Sequence, residues 1–269
     1  MEFLYGKKVE ERIINNFEER LHKLKITPNI AVLAIKGSQS SEIYMRNIEK
    51  NCKKYGIGFN ILVANDENEF KDNFNKIKGD KSITGIMFQQ PLAKEVNDLI
   101  NEIPFKKDIE GIGIENMGKL FLGKKDAIIP CTSKAVMEML DFYNIELEGK
   151  KVAILGRSNT VGKPLIPQLL EKNATVTICH SKTKNIQDEL KNSDIVIIAI
   201  GRANFLKKEM IKENSIIIDV GINTFEGKVC GDVDFEDVKG YVKAITPVPG
   251  GIGIVTNALL IDNIIKSVE

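Results

Sequence analysis

The residues with the most chemical reach follow a short apolar run. Val152-Ala153-Ile154-Leu155 leads into Gly156-Arg157-Ser158-Asn159-Thr160-Val161-Gly162-Lys163-Pro164, and helical spacing comes next. A strand, a glycine-rich turn and a helix in that order suit the phosphates of a dinucleotide. Glycine lets the backbone close on the anion, and a helix start offers N–H groups to negative charge. The pattern is not GxGxxG, because Ser158 stands at the second glycine and the next glycine is Gly162. A plain strand-to-helix turn stays open as the alternative. The second strand of this half ends Ile178-Cys179-His180-Ser181-Lys182-Thr183. A fold that prefers NAD places an acid there for the ribose 2′-hydroxyl. None is present. Ser181, Lys182 and Arg157 instead offer donors and positive charge, which favours a 2′-phosphate and hence NADP. NAD, and a loop whose polar residues are merely solvated, are the alternatives.

Other chemistries lack their residues. The four cysteines, at 52, 131, 179 and 230, form no CxxC pair, and the two histidines are His22 and His180. No metal site is expected from that spacing, and free thiols in a reducing compartment are. Two histidines leave little room for a histidine triad, and His180 by itself reads as structural or solvent-facing. Lysine plus arginine number 38 against 37 aspartates and glutamates, a net charge of +1. Such a balance gives no reason to expect nucleic acid or a membrane surface as partner. No apolar run reaches the roughly 18 residues of a membrane span. The first residues, Met1-Glu2-Phe3-Leu4-Tyr5-Gly6-Lys7-Lys8, carry no basic-then-apolar signal, so a cytoplasmic location is expected.

The elements that must position these residues alternate. Helical spacing runs over 9–24, 44–55 and 67–78, and short apolar runs over 30–35, 59–63 and 83–88. The pattern breaks at 119–130, where we place the domain junction. It resumes with a helix over 132–143 and strands at 152–155, 175–178, 195–200, 216–220 and 242–245. Helices from 161 and near 185–191 intervene, and a last helix covers 256–267. Short apolar strands separated by helices predict parallel sheets covered on both faces. The 269 residues suit two modest domains.

Together these motifs resemble one family, the methylenetetrahydrofolate dehydrogenase/methenyltetrahydrofolate cyclohydrolase enzymes. The match runs through 156–164, 175–183, Ile218-Asp219-Val220-Gly221-Ile222-Asn223, Gly231-Asp232-Val233 and Thr246-Pro247-Val248-Pro249-Gly250-Gly251-Ile252-Gly253. In the first half it includes Gly85-Ile86-Met87-Phe88-Gln89-Gln90-Pro91-Leu92 and Pro130-Cys131-Thr132. The resemblance implies two α/β domains: an N-terminal folate domain, 1–120 completed by the C-terminal helix at 251–269, and a Rossmann-type NADP domain at 121–250. It also implies a homodimer, a folate cleft between the domains, and hydride transfer from the methylene carbon of the reduced folate to nicotinamide. It assigns Gly156, Arg157, Ser158, Ser181 and Ile222 to the cofactor. Tyr44, Gln89, Glu110 and the loop Pro249, Gly250, Gly251 are assigned to the folate, with Tyr44, Gln89 and Glu110 as the catalytic set. A different two-domain NADP oxidoreductase, of the shikimate dehydrogenase type, is the rival enzyme reading.

The sequence departs from the family most at one helix. The family has a tyrosine and, four residues on, the lysine of the cyclohydrolase step. Here the run is Tyr44-Met45-Arg46-Asn47-Ile48-Glu49-Lys50, so Ile48 takes the lysine position. An isoleucine neither donates, accepts nor relays a proton. At about 100° per residue Lys50 lies roughly 240° round from Tyr44, on another face. The preceding loop, Lys36 to Ser41, is shorter than the family's usual form. Asp108-Ile109-Glu110-Gly111 replaces Asp-Val-Asp-Gly, Ser133 replaces a proline, and Ile254 stands where a proline is common. The expectation is a dehydrogenase with a weak or absent cyclohydrolase step. A fully bifunctional enzyme and a catalytically silent folate- or nucleotide-binding regulator are the alternatives.

Overall fold

The computed structural model describes the backbone of residues 1–36 and 40–269, and the side chains of 1–36 and 45–269. The chain runs β1 (Glu2–Phe3), α1 (Lys7–Leu21), β2 (Asn29–Ile35), α2 (Ser40–Lys54), β3 (Gly58–Ala64), α3 (Glu67–Lys78) and β4 (Gly85–Phe88). Then come α4 (Lys94–Asn97), α5 (Ile114–Phe121), α6 (Cys131–Phe142), β5 (Lys151–Leu155), α7 (Gly162–Glu171), β6 (Thr175–Cys179), α8 (Ile186–Lys191) and β7 (Ile195–Ile198). It closes with β8 (Ile216–Asp219), β9 (Asn223–Phe225), β10 (Lys228–Cys230), α9 (Phe235–Val238), β11 (Ala244–Ile245) and α10 (Ile252–Lys266). The loop whose length departs from the family falls largely on 37–39, outside the described residues.

The chain forms two compact units. One comprises 1–13, 121–123 and 130–258; the other comprises 14–120, 124–129 and 259–269. The partition differs from the expected 1–120 plus 251–269 against 121–250. Glu2 and Phe3 pair in parallel with Ala244 and Ile245, which binds the N-terminus to the sheet of the first unit. A strand of two residues has no periodicity to read, so nothing local in the sequence announces this.

The first unit holds a six-stranded parallel sheet in the order β1-β11-β8-β7-β5-β6. Its central strands are apolar because both faces are covered: Val152 to Leu155 and Ile195 to Ile198 are all buried. Helices α6 and α7 are joined by a buried amide. Gln168 Nε2 donates to the Pro164 carbonyl at 2.7 Å and to Ser133 Oγ at 3.1 Å, and Ser133 Oγ donates to the Pro130 carbonyl at 2.9 Å. Ser133 at the family's proline position is thereby accounted for, since its hydroxyl is fully bonded. The β9–β10 hairpin extends from this unit as a separate antiparallel pair.

The second unit holds a three-stranded parallel sheet, β3-β2-β4. Helix α3 shows why the sequence folds this way. Asp66 caps it, accepting from the backbone N–H of Asn68 and Glu69 at 2.9 Å. Phe70, Phe74 and Ile77 fall on one face and are buried. Phe70 and Phe74 meet Phe88 of β4 edge-on, with ring centroids 5.0 and 5.4 Å apart.

Candidate functional site

In the first unit, the end of β5 makes the turn the sequence predicted. Gly156 has φ +126°, and a Cβ there would strike the Ala199 carbonyl, with its carbon 3.1 Å away. A Cβ on Gly162 would sit 2.7 Å from the Gly156 carbonyl carbon and 3.0 Å from Arg157 Cα. Both glycines are therefore required by close backbone approach. Ser158 is turned into its own turn rather than outward. Its Oγ accepts from the Val161 N–H at 3.1 Å, and its carbonyl accepts from the Lys163 N–H at 3.1 Å. With Pro164 lacking an N–H, the start of α7 spends donors on the turn. Positive side chains at the turn add to its attraction for an anion.

A cavity of about 330 Å³ opens at the ends of β5, β6 and β7, lined by Gly156, Arg157, His180, Ser181, Arg202 and Phe205 among others. Among the described residues no carboxylate lines it. His180 braces the loop after β6: its Nδ1 accepts from the Lys182 N–H at 3.1 Å, and its own N–H donates to Thr183 Oγ1 at 2.8 Å. Of the residues expected to hold the cofactor, Gly156, Arg157 and Ser181 share this cavity. Ser158 does not line it, and Ile222 stands apart, 67% exposed beside Gly253.

Two buried acids hold the loops beside the cavity. Asp219 accepts from the N–H groups of Gly221, Asp232 and Val233, each at 3.0 Å. Asp232 accepts from Ile200 and Arg202 N–H at 2.7 Å, from Gly201 N–H at 3.0 Å and from Asn223 Nδ2 at 2.9 Å. A Cβ on Gly221 would lie 2.7 Å from an Asp232 carboxylate oxygen, and one on Gly231 would lie 2.9 Å from an Asp219 oxygen. Each glycine makes room for the other strand's aspartate. Burial pushes the Asp219 carboxyl up to about 6, and the Asp232 charge adds to it. This interlock and Arg202 are the functional features that motif reading passed over. The visible signal was an aspartate beside a glycine at 219–221 and again at 231–232.

The loop expected to meet folate, Pro249-Gly250-Gly251, also lies in the first unit. The Gly6 N–H donates to the Gly250 carbonyl at 2.8 Å, and Gly250 has φ +106°. Ile254, at the family's proline position, lies in the first turn of α10 against Gly6.

In the second unit, Gln89 follows β4, its N–H bonded to the Leu33 carbonyl at 2.8 Å. Glu110 accepts from the N–H of the neighbouring Phe88, so Gln89 and Glu110 come to the same strand end. Burial, together with the nearby Asp108 charge, pushes the Glu110 carboxyl up to about 8. Asp108 is the brace beneath it. It is 1% exposed and accepts from Gly111 and Gly113 N–H at 2.9 and 2.8 Å and from Asn116 Nδ2 at 2.9 Å. Tyr44 belongs to α2, but its side chain lies outside the described residues. Four residues on, Ile48 is 3% exposed, and Cys52, four further, is fully buried with its thiol pushed up to about 12 by burial. Helix α2 is unbroken from Ser40 to Lys54, and Arg46 and Lys50 are exposed on other faces.

A glycine turn at the end of a central parallel strand, a cavity beside it whose described lining is cationic and free of acids, and a second α/β unit define a two-domain nucleotide-binding protein. The turn and cavity fit a phosphorylated dinucleotide. Comparison with known proteins makes the class specific. Residues 4–110 match the catalytic domain, and residues 130–269 the NAD(P)-binding domain, of tetrahydrofolate dehydrogenase/cyclohydrolase. The chain belongs to that family. It is 42% identical over 274 residues to the bifunctional protein FolD of Dictyoglomus turgidum, covering 99% of this chain and 97% of that one. The crystal structure of the Campylobacter jejuni FolD enzyme superposes with a TM-score of 0.94 at 39% identity, covering 100% and 98% of the two chains. The Trypanosoma brucei enzyme, solved with NADP cofactor and an inhibitor, superposes at 0.85 with 29% identity, covering 98% and 94%.

Proposed function

We propose that this protein oxidises 5,10-methylenetetrahydrofolate to the methenyl form with NADP, and that it does not catalyse hydrolysis of the methenyl product. What supports the second half is Ile48: by the resemblance of the run Tyr44 to Lys50 it takes the position of the family's lysine, and it is buried on α2, which runs unbroken from Ser40 to Lys54. No register change brings Lys50 or Arg46 to that face. Hydride transfer needs alignment of donor and acceptor more than a proton relay, so it survives the loss. NADP, when bound, supplies the hydride acceptor.

The chain's own residues then divide the work. Gly156 and Gly162 let the backbone close on phosphate, while Arg157 and Ser181 bind the 2′-phosphate. Ser158 acts by bracing the turn, and Ile222 offers apolar surface to the nicotinamide end. Gln89, Glu110 and Tyr44 hold the pterin, with Glu110 accepting from its amino edge; Pro249, Gly250 and Gly251 are assigned to the folate by the resemblance alone. The protein works as a homodimer in the cytoplasm. Among the described residues no helix is long and apolar enough to cross a membrane.

Two rates test the reading. NADP reduction is followed with methylene-folate, and the decay of methenyl-folate is followed separately without nucleotide. Reduction with decay no faster than in buffer is expected. Enzyme-dependent decay restores the bifunctional reading, and ligand binding without NADP reduction restores the silent-regulator one.

A further inference from the structure

The cationic cavity contains a second arginine, to which the family's motifs give no role. Arg202 follows β7, and its N–H donates to the buried Asp232 carboxylate at 2.7 Å. Its guanidinium carbon lies 4.7 Å from the centre of the Phe205 ring. The Phe205 N–H in turn donates to the Asp232 carbonyl at 2.7 Å. Both partners of the stack thus hang from one buried residue. A guanidinium placed over an aromatic face loses less freedom when it grips a ligand. Arg202 lines the same 330 Å³ space as Arg157, His180 and Ser181, and among the described residues no carboxylate lines it.

Resting on the reading of this cavity as the NADP site, we propose that Arg202 is a specificity residue that grips the cofactor's 2′-phosphate. Position chooses that anion over the pyrophosphate. The pyrophosphate in this kind of fold belongs to the glycine turn, whereas the 2′ position belongs to the end of the second strand. Arg202 shares its cavity with that strand end, at His180 and Ser181. A dianionic phosphate also presents paired oxygens to the planar guanidinium fork, which a lone ammonium does not match. The site therefore has two arginines, one from the β5 turn and one from the β7 loop.

Calorimetric titration of the whole protein tests this with four ligands: NADP, NAD, 2′,5′-ADP and 5′-AMP. Arg202→Gln is expected to weaken NADP and 2′,5′-ADP by about tenfold and to leave NAD and 5′-AMP within about twofold. Arg202→Lys is expected to recover part of the loss, since it keeps the charge but not the fork. Unchanged NAD affinity also reports that the variant is folded. A loss of equal size for all four ligands overturns the proposal and makes Arg202 an adenine-stacking group. No loss for any ligand overturns it as well. Wild-type protein that fails to prefer 2′,5′-ADP over 5′-AMP overturns the NADP reading itself, and this proposal with it.

Discussion

The nucleotide end and the folate end both use buried aspartates beside glycines, yet their acids do different work. At the nucleotide end, Asp219 and Asp232 each accept three backbone N–H bonds, and Asp232 takes a fourth bond from Asn223. Both are spent on the scaffold. At the folate end the jobs are split. Asp108 takes the backbone bonds, while Glu110, two residues on, accepts from Phe88 and keeps a carboxyl pushed up to about 8. Satisfaction by the backbone marks an acid that holds shape. A half-buried acid with few donors marks one available to a ligand. The folate end is also where the family's residues change, at Ile48 and Glu110, whereas the nucleotide end keeps its motifs.

The largest effect expected from this contrast is at Ile48. Ile48→Lys should raise methenyl-folate hydrolysis by about a hundredfold or more, the usual scale of a placed acid–base group. The new stem can lie along apolar surface, so the variant should fold with some loss of stability. Hydrolysis measured without nucleotide checks it. An intact dehydrogenase with no gain in hydrolysis would mean that more than the lysine has been lost here.

Next in size is the test of the braces. Asp232→Ala leaves the N–H groups of Ile200, Gly201 and Arg202 and the Asn223 amide without their acceptor and should lower unfolding stability by about 3 kcal/mol. Asp108→Ala should behave alike in the other unit. Glu110→Gln should not lower stability at pH 7. Its carboxyl is protonated in the native state up to about pH 8 but ionises near 4.5 in the unfolded chain. The native state therefore binds the extra proton across that window, stability falls as pH rises through it, and glutamine removes the dependence. Urea unfolding of the three variants at pH 5, 7 and 8.5 decides. A Glu110→Gln loss as large as that of Asp232→Ala would erase the distinction between the two kinds of acid.

The same carboxyl predicts a smaller effect on substrate. The amino edge of a pterin donates hydrogen bonds, so the ionised form binds it. Below pH 8 binding must expel a proton, and KM for the folate should fall as pH rises from 6.5 to 8 and then level. Glu110→Gln should flatten the profile and raise KM by about tenfold at pH 8, where a charge-assisted bond is lost. A wild-type KM that ignores pH over this range removes Glu110 from the pterin site.

How much of this was legible depended on the range of the signal. The central strands, α3 and the glycine turn are legible in the sequence because they are encoded by neighbours, through apolar runs, helical spacing over 67–78 and glycines after a strand. The expectation for Gly156, Arg157 and Ser181 met one cavity because strand ends in a parallel sheet lie together. The Asp219–Asp232 interlock and Arg202 depend on bonds between residues 13 to 32 positions apart, which leave no local spacing. Strand β1, helix α5 and the β9–β10 hairpin are not legible for the complementary reason. Two residues carry no period, Gly118 weakens the helical signal of a short helix, and the hairpin turns on Glu226-Gly227 in place of the stronger Asn-Gly.

That turn gives the smallest prediction and a way to sharpen the comparison. Glu226 and Gly227 have φ of +49° and +75°, the left-handed pair that a two-residue hairpin demands. Glutamate tolerates that region poorly and asparagine well, so Glu226→Asn should stabilise the protein by about 0.5 kcal/mol. The hairpin is also anchored at its base, where Asn223 donates to Asp232 at 2.9 Å. If the Asp232 brace already fixes the hairpin, relief at the tip stays local: thermal unfolding rises slightly and NADP affinity does not move. In an Asp232→Asn background the anchor weakens, and the same tip substitution should then gain more stability. Equal gains in both backgrounds would show that tip and base are uncoupled, and would confine the work of Asp232 to the loop that carries Arg202.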